Sequence, residues 1–155
     1  EFNIKPFGIR AMDSMRLEKS YRLIPREMSI EYSALESGLD RFVSLDKEHD
    51  FIGKQALIDS QQETANNAFV TMEVHGVTDA DARGSEAIYH EGELVGRATS
   101  GGFGWRVNKS LALGMVTPAL AAVGTELEIE ILGKIYQATV VDESPYDPSN
   151  AKLRA

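Results

Sequence analysis

Glu126-Leu-Glu-Ile-Glu-Ile-Leu132, the pair Gly133-Lys134 and the run Ile135-Tyr-Gln-Ala-Thr-Val-Val141 decide the fold. The first run alternates strictly between acidic and apolar residues, the period of two expected of a strand with one buried face. Gly133-Lys134 turns the chain and the second run returns, which predicts an antiparallel hairpin. Glu126, Glu128 and Glu130 then share one face, most simply a solvated outer one. Working outward, Phe69-Val-Thr-Met-Glu-Val-His75 also alternates. Ala87–His90 and Glu93–Ser100 flank the turn signal Glu91-Gly92, and Leu111–Thr117 is ended by Pro118. Six short strands, with no helix long enough to cross over between them, predict a small antiparallel β-barrel or sandwich from about residue 68 to 142.

Upstream of Asn67 the periodicity becomes helical. Ile9, Met12, Met15 and Leu17 recur at roughly helical spacing, and Arg10, Asp13, Arg16 and Lys19 repeat on another face. This predicts an amphipathic helix over Phe7–Tyr21, limited at its start by Pro6 and Gly8. Arg10, Asp13, Arg16 and Glu18 can ladder as solvated ion pairs, or hold a charge network against a neighbouring element. Pro25 breaks the pattern after Ile24. Ser33–Leu39 reads as a short helix or turn with Gly38 at its end, and Arg41–Leu45 as a short strand. Asp50 is a candidate N-cap for a helix over Ile52–Gln62, with Ala56, Leu57 and Ile58 as its apolar stripe. The polar, aperiodic run Gln61–Asn67 marks a boundary. The fold class is therefore α+β. A mostly helical segment, residues 1–67, precedes a barrel domain, residues 68–155.

The 155 residues carry 24 acidic and 16 basic side chains, a net charge of -8. That balance argues against a nucleic-acid footprint, which needs a basic face, and against docking on an anionic membrane. With no cysteine, disulfides, thiol nucleophiles and cysteine metal sites are excluded. This fits a reducing compartment and a cytoplasmic location. No apolar run approaches the length of a membrane span. The opening Glu1-Phe-Asn-Ile-Lys-Pro6 lacks an initiator methionine, as expected if the chain continues something larger upstream.

Reactive constellations are sparse. His49, His75 and His90 are scattered without a second ligand at helical spacing, so no metal site is predicted. Ser100-Gly-Gly-Phe-Gly104 follows a strand, but the next element is another strand, so a phosphate cradle fails on context. A bend with closely approaching backbones fits better. Phe103 and Trp105 beside it belong either to the core or to a pocket lining. Ser14 and Ser20 have no histidine near them, and no nucleophile–base set can be assembled.

Several motifs in series resemble one family. Ala11-Met-Asp-Ser-Met-Arg-Leu-Glu-Lys19 resembles the A-x-D-S-L-R-L-E helix of the aminomethyltransferase family, the T-protein of glycine cleavage and its relatives. Leu35-Glu-Ser-Gly-Leu39 is similar to its P-L-E-A-G-L segment, and Asp50-Phe-Ile-Gly-Lys-Gln-Ala-Leu57 to its D-F-I-G-K-x-A-L segment. Thr99-Ser-Gly-Gly102 and Leu113-Gly-Met-Val116 resemble two landmarks of its C-terminal barrel. Lys19, the Arg41-Phe-Val43 run and Pro145-Tyr-Asp-Pro148 look closer to a sub-branch, the folate-binding C-terminal half of dimethylglycine and sarcosine dehydrogenases.

The resemblance implies a tetrahydrofolate site at the centre of a three-part ring and transfer of a one-carbon unit from an amine to the folate. This chain corresponds to the end of the middle region and the barrel. The family's catalytic aspartate and pterin-gripping glutamate belong to segments upstream of Glu1, so no residue here is assigned a catalytic role, and the isolated chain is expected to be inactive and to bind folate weakly. The positions implied to face the cofactor are Met12, Arg16 and Arg41. Met12 stands where the glycine-cleavage branch has arginine, and Arg41 where it has tryptophan. These departures favour a flavin-linked demethylating relative, with FAD held only in a possible upstream domain. The implied partners are folate and upstream domains of the same polypeptide. A non-catalytic module of the same fold, or demethylation of a methylated sulfur compound, are the alternative functions.

Overall fold

A computed structural model describes residues 2–63, 65–77 and 79–155. Six strands carry the fold: β1 (Ala68–Val74), β2 (Ala87–His90), β3 (Glu93–Gly104), β4 (Lys109–Val116), β5 (Glu126–Ile131) and β6 (Lys134–Val141). They close into a barrel in the order β1-β4-β3-β2-β5-β6, every pair antiparallel. The α+β reading and the barrel hold. The interior is filled by Met72, Ile88, Val116, Leu127, Ile129 and Val140, all buried. Glu126, Glu128 and Glu130 lie on the outer face of β5, where they accept hydrogen bonds from Thr139, Gln137 and Tyr89. The hairpin turns at Leu132-Gly133, both at positive φ, one residue before the expected pair. Glu91-Gly92 turns in the same way. Paired positive φ values match the twist of the flanking strands.

β4 breaks the simple alternation because it is buried on both faces. Ala112 and Val116 belong to the barrel interior, whereas Leu111 and Leu113 pack with Leu17 on the outside. The element covering them is α1 (Ile9–Glu18). It stops where Ser20 enters the left-handed region at φ 53. The Tyr21 N–H then donates to Arg16 O, and the Ser20 N–H to Leu17 O. This is a Schellman ending with serine in the place usually held by glycine. The Ser20 hydroxyl is buried and bonded to Thr71 Oγ1 on β1 and to the Ser144 amide.

The orientation of α1 departs from its sequence pattern. Ile9 is 77% exposed and Met12 and Met15 about half exposed, while Arg16, Leu17 and Glu18 are buried. The helix docks by its last turn, so the face chosen inward is set by Leu17 and by the buried partners of Arg16 and Glu18. The first 63 residues are not mostly helix. Among the described residues α-helix is confined there to α1 and to α2 (Lys54–Ser60), with turns between. The strand expected over Arg41–Leu45 is instead a 3-10 turn over Asp40–Phe42, closed by the Val43 N–H on Asp40 O. The barrel strands satisfy one another and leave that segment no ladder to join. Asp50 does not cap α2. It accepts from the Phe51 amide, and Gly53 at φ 89 forms the cap and delays the helix start.

The glycine-rich run is also corrected: it is not a bend but the straight continuation of β3, paired with β4 as far as Gly104 and Lys109. The close backbone approach expected there is present. A Cβ on Gly101 would lie 2.5 Å from Ala82 O, and one on Gly102 would lie 3.0 Å from Leu17 Cδ1. Glycine thus admits the loop before β2 on one side and α1 on the other.

Candidate functional site

Where α1 meets β3, a polar node is buried. The register between β3 and β4 shifts between Ala98 and Ser100, leaving Thr99 in a bulge. In a regular strand Thr99 and Ser100 would point to opposite faces. The bulge brings both hydroxyls to one acceptor: Thr99 Oγ1 donates to Glu27 Oε1 at 2.6 Å and Ser100 Oγ at 2.5 Å. Glu27 has no exposed surface. Its other oxygen accepts from the Leu23 amide and lies 3.7 Å from Arg16 Nη1. Arg16 Nε donates to Asp13 at 2.7 Å, and its buried Nη2 has no acceptor among the described residues.

Beside the node lies a cleft of about 820 Å³ between α1 and the barrel mouth. Arg10, Asp13 and Ser14 line its helix side, and Phe103 and Trp105 its strand side. Phe103 and Trp105 meet edge to face, with ring centres 4.9 Å apart. The pocket reading of this aromatic pair therefore holds. Ser14 Oγ donates to Phe103 O and ties the helix to the cleft wall.

Of the expected cofactor positions, Met12 and Arg16 lie one helical turn apart on α1. Arg41 belongs to a different cluster. It pairs with Glu143, which also takes Arg22 at 2.5 Å. Arg22 was not singled out by the sequence. Its guanidinium stacks 3.8 Å from the Phe69 ring and donates to Ser20 O, Ser37 O and Gly38 O. Glu27 was also missed, since a carboxylate in an irregular stretch carries no periodic signal of burial. Glu18 is not part of the predicted ladder. It accepts the Arg106 and Val107 amides and shapes the β3–β4 turn. His75 bonds Thr139 and His90 bonds Glu126 O, on the outer wall of the barrel.

Two carboxylates are tuned by their donors. Burial pushes Glu36 up, but the Ser33 and Asn67 donors outweigh it and hold its carboxyl below the usual value. Glu36 thereby ties the run before β1 to the 33–39 turn. Burial likewise pushes Glu143 up, and Arg22 with Arg41 outweighs it, leaving the group below 4.5. A depressed folded-state pKa adds stability above the unfolded value, which is lost as pH falls through the folded one. Glu143→Gln should therefore cost about 1 kcal/mol near neutrality, because Glu143 itself is partly exposed and the buried Arg22 keeps the Ser20, Ser37 and Gly38 carbonyls. Urea unfolding should show that difference closing once the pH drops below the folded pKa of Glu143.

The arrangement matches a known architecture. The family model of the glycine cleavage T-protein C-terminal barrel domain matches residues 67–147, and that of the GCVT N-terminal domain matches residues 1–47. The chain belongs to the glycine cleavage T-protein family. Within it, the chain is 40% identical over 156 residues to mitochondrial dimethylglycine dehydrogenase of Mus musculus, covering 99% of this chain and 18% of that protein. It is 37% identical over 143 residues to an aminomethyltransferase of Synechocystis sp., covering 92% of this chain and 38% of the relative. The crystal structure of glycine cleavage system aminomethyltransferase T from Bartonella henselae superposes with a TM-score of 0.83 at 26% identity, over 91% of this chain and 39% of that one. The chain thus spans under a fifth of the dehydrogenase and under two fifths of the transferases. The dehydrogenase relative is mitochondrial by name, which the cytoplasmic expectation did not foresee. Among the described residues no helix is long and apolar enough to cross a membrane.

Proposed function

We propose that this chain is the barrel-side part of a tetrahydrofolate-dependent aminomethyltransferase-like enzyme, in the branch of flavin-linked demethylating dehydrogenases. In this reading residues 1–67 end the folate-binding middle region and residues 68–155 form the barrel. The observation that carries it is the match to dimethylglycine dehydrogenase, which runs through essentially the whole chain at 40% identity. The residues present suit part of a folate. Among the described residues Arg16 keeps a buried donor without an acceptor, and Phe103 and Trp105, packed edge to face, line the cleft with aromatic surface. Folate supplies the acceptor for the one-carbon unit. This chain's contribution is to bind and orient. In this reading Arg16 and Met12, one turn apart on α1, face the cofactor. Arg41, drawn away from Glu143, offers forked hydrogen bonds or a stacking plane that lysine reproduces poorly.

The test is calorimetric titration of tetrahydrofolate into the full polypeptide that contains this chain, and into the 155-residue chain alone. The full polypeptide should bind, and the chain alone should bind far more weakly, because a site needs most of its convergent polar groups in place. In the full polypeptide Arg41→Lys should weaken binding by about 1–3 kcal/mol, the range for a hydrogen bond to a charged group, with Tm nearly constant. Unchanged affinity returns Arg41 to a surface ion-pair role. No folate binding by the full polypeptide would favour the non-catalytic module.

A further inference from the structure

On the side of Glu27 away from α1, three arginines from three separate segments line one cleft of about 460 Å³: Arg26, Arg83 and Arg97. Their convergence is unexpected in a chain with a net charge of -8. Only one of them is neutralised. Arg97 pairs with Glu31 and donates to the Tyr32 hydroxyl at 2.7 Å. Among the described residues Arg26 and Arg83 have no carboxylate partner. The acids flanking Arg83 are engaged elsewhere: Asp81 accepts from Ser110 Oγ at 2.9 Å, and Glu86 commits its oxygens to the Arg83 and Gly84 amides at 2.8 and 2.7 Å. Arg26 is also held in place, because its Nη1 donates to Arg83 O at 3.3 Å and to Ser100 Oγ at 3.4 Å. Among the described residues its Nε and Nη2 take no acceptor. Ser29 and Ser85 add hydroxyls to the same walls.

Unpaired cations gathered on one cleft repel each other unless an anion lies between them, and guanidinium forks match planar or tetrahedral oxyanions in pairs. We propose that this cleft binds a small dianion, a phosphate group or paired carboxylates, through Arg26 and Arg83 with help from Ser29 and Ser85. The proposal is independent of folate binding at α1, and the two sites are read by different probes.

The experiment titrates sodium phosphate, and separately sodium succinate, into the whole chain at constant ionic strength, followed by calorimetry and by amide shifts at residues 83–85. The expected result is saturable binding of at least one of them. Arg26→Gln with Arg83→Gln should weaken it at least about tenfold, as the loss of charge-assisted forks implies. Arg154→Gln, at the exposed tail, should leave it unchanged. Arg26→Lys, which keeps the charge but loses the fork, should fall between. Binding of phosphate alone identifies a phosphate site, and binding of succinate alone a dicarboxylate site. If neither saturates, or if the double variant binds as the parent does, the proposal is overturned.

Discussion

Glu27→Ala should destabilise the chain by about 3–5 kcal/mol, the cost of removing a buried, hydrogen-bonded carboxylate that faces a buried cation. Glu27 is fully buried and receives the Thr99 and Ser100 hydroxyls and the Leu23 amide, with Arg16 alongside. Alanine would strand the Ser100 hydroxyl and the Leu23 amide, leave Thr99 only its longer bond to Leu113 O, and leave the Arg16 guanidinium in the interior with Asp13 as its one remaining carboxylate. Tm should fall by on the order of 10 °C for a domain of this size. Glu27→Gln keeps the volume and one acceptor oxygen, so it should cost clearly less. Urea unfolding followed by far-UV circular dichroism measures both. A loss below about 1 kcal/mol for the alanine variant, the scale of a surface pair, would mean that the node is solvated.

Leu17→Ala should cost about 2–5 kcal/mol, as truncation of a buried leucine does when the cavity cannot collapse. Leu17 is 1% exposed, packs on Leu111 and Leu113, and is the one apolar side chain of α1 that is buried. The loss should be local in character. Hydrogen exchange should accelerate first in α1, while the amides of β5 and β6 keep their protection. Uniform acceleration through barrel and helix would show instead that the barrel depends on α1 to fold.

The barrel was legible because a closed sheet imposes one repeated constraint, inward and outward alternation, on every strand; Glu126–Ile131 displays it as strict acidic–apolar alternation. The glycine run misled because glycine signals close approach without saying whether the chain bends there, and Gly101 serves a straight strand. The face of α1 was misread because Ile9, Met12, Met15 and Leu17 read as one apolar stripe, whereas the fold buries only Leu17 of these, with two charges beside it. Arg16 and Glu27 are partners across the end of α1 and the irregular chain that follows it, and Thr99 joins them through a bulge. Contacts set by a bulge and a loop leave no period to detect. The motif Thr99-Ser100 could be noticed by resemblance, but its physical use, two adjacent hydroxyls on one carboxylate, needed the bulge to be seen.

Because β1 bonds to β4 on one side and to β6 on the other, the sheet has no terminal strand. An open edge offers a row of unused amides and carbonyls to any extended peptide, and proteins spend proline, lysine or covering helices to blunt it. Here closure does that by geometry. A neighbouring segment therefore cannot join the barrel by adding a strand. It must read side chains and loop tips, so recognition of this domain depends on residue identity rather than on backbone pairing.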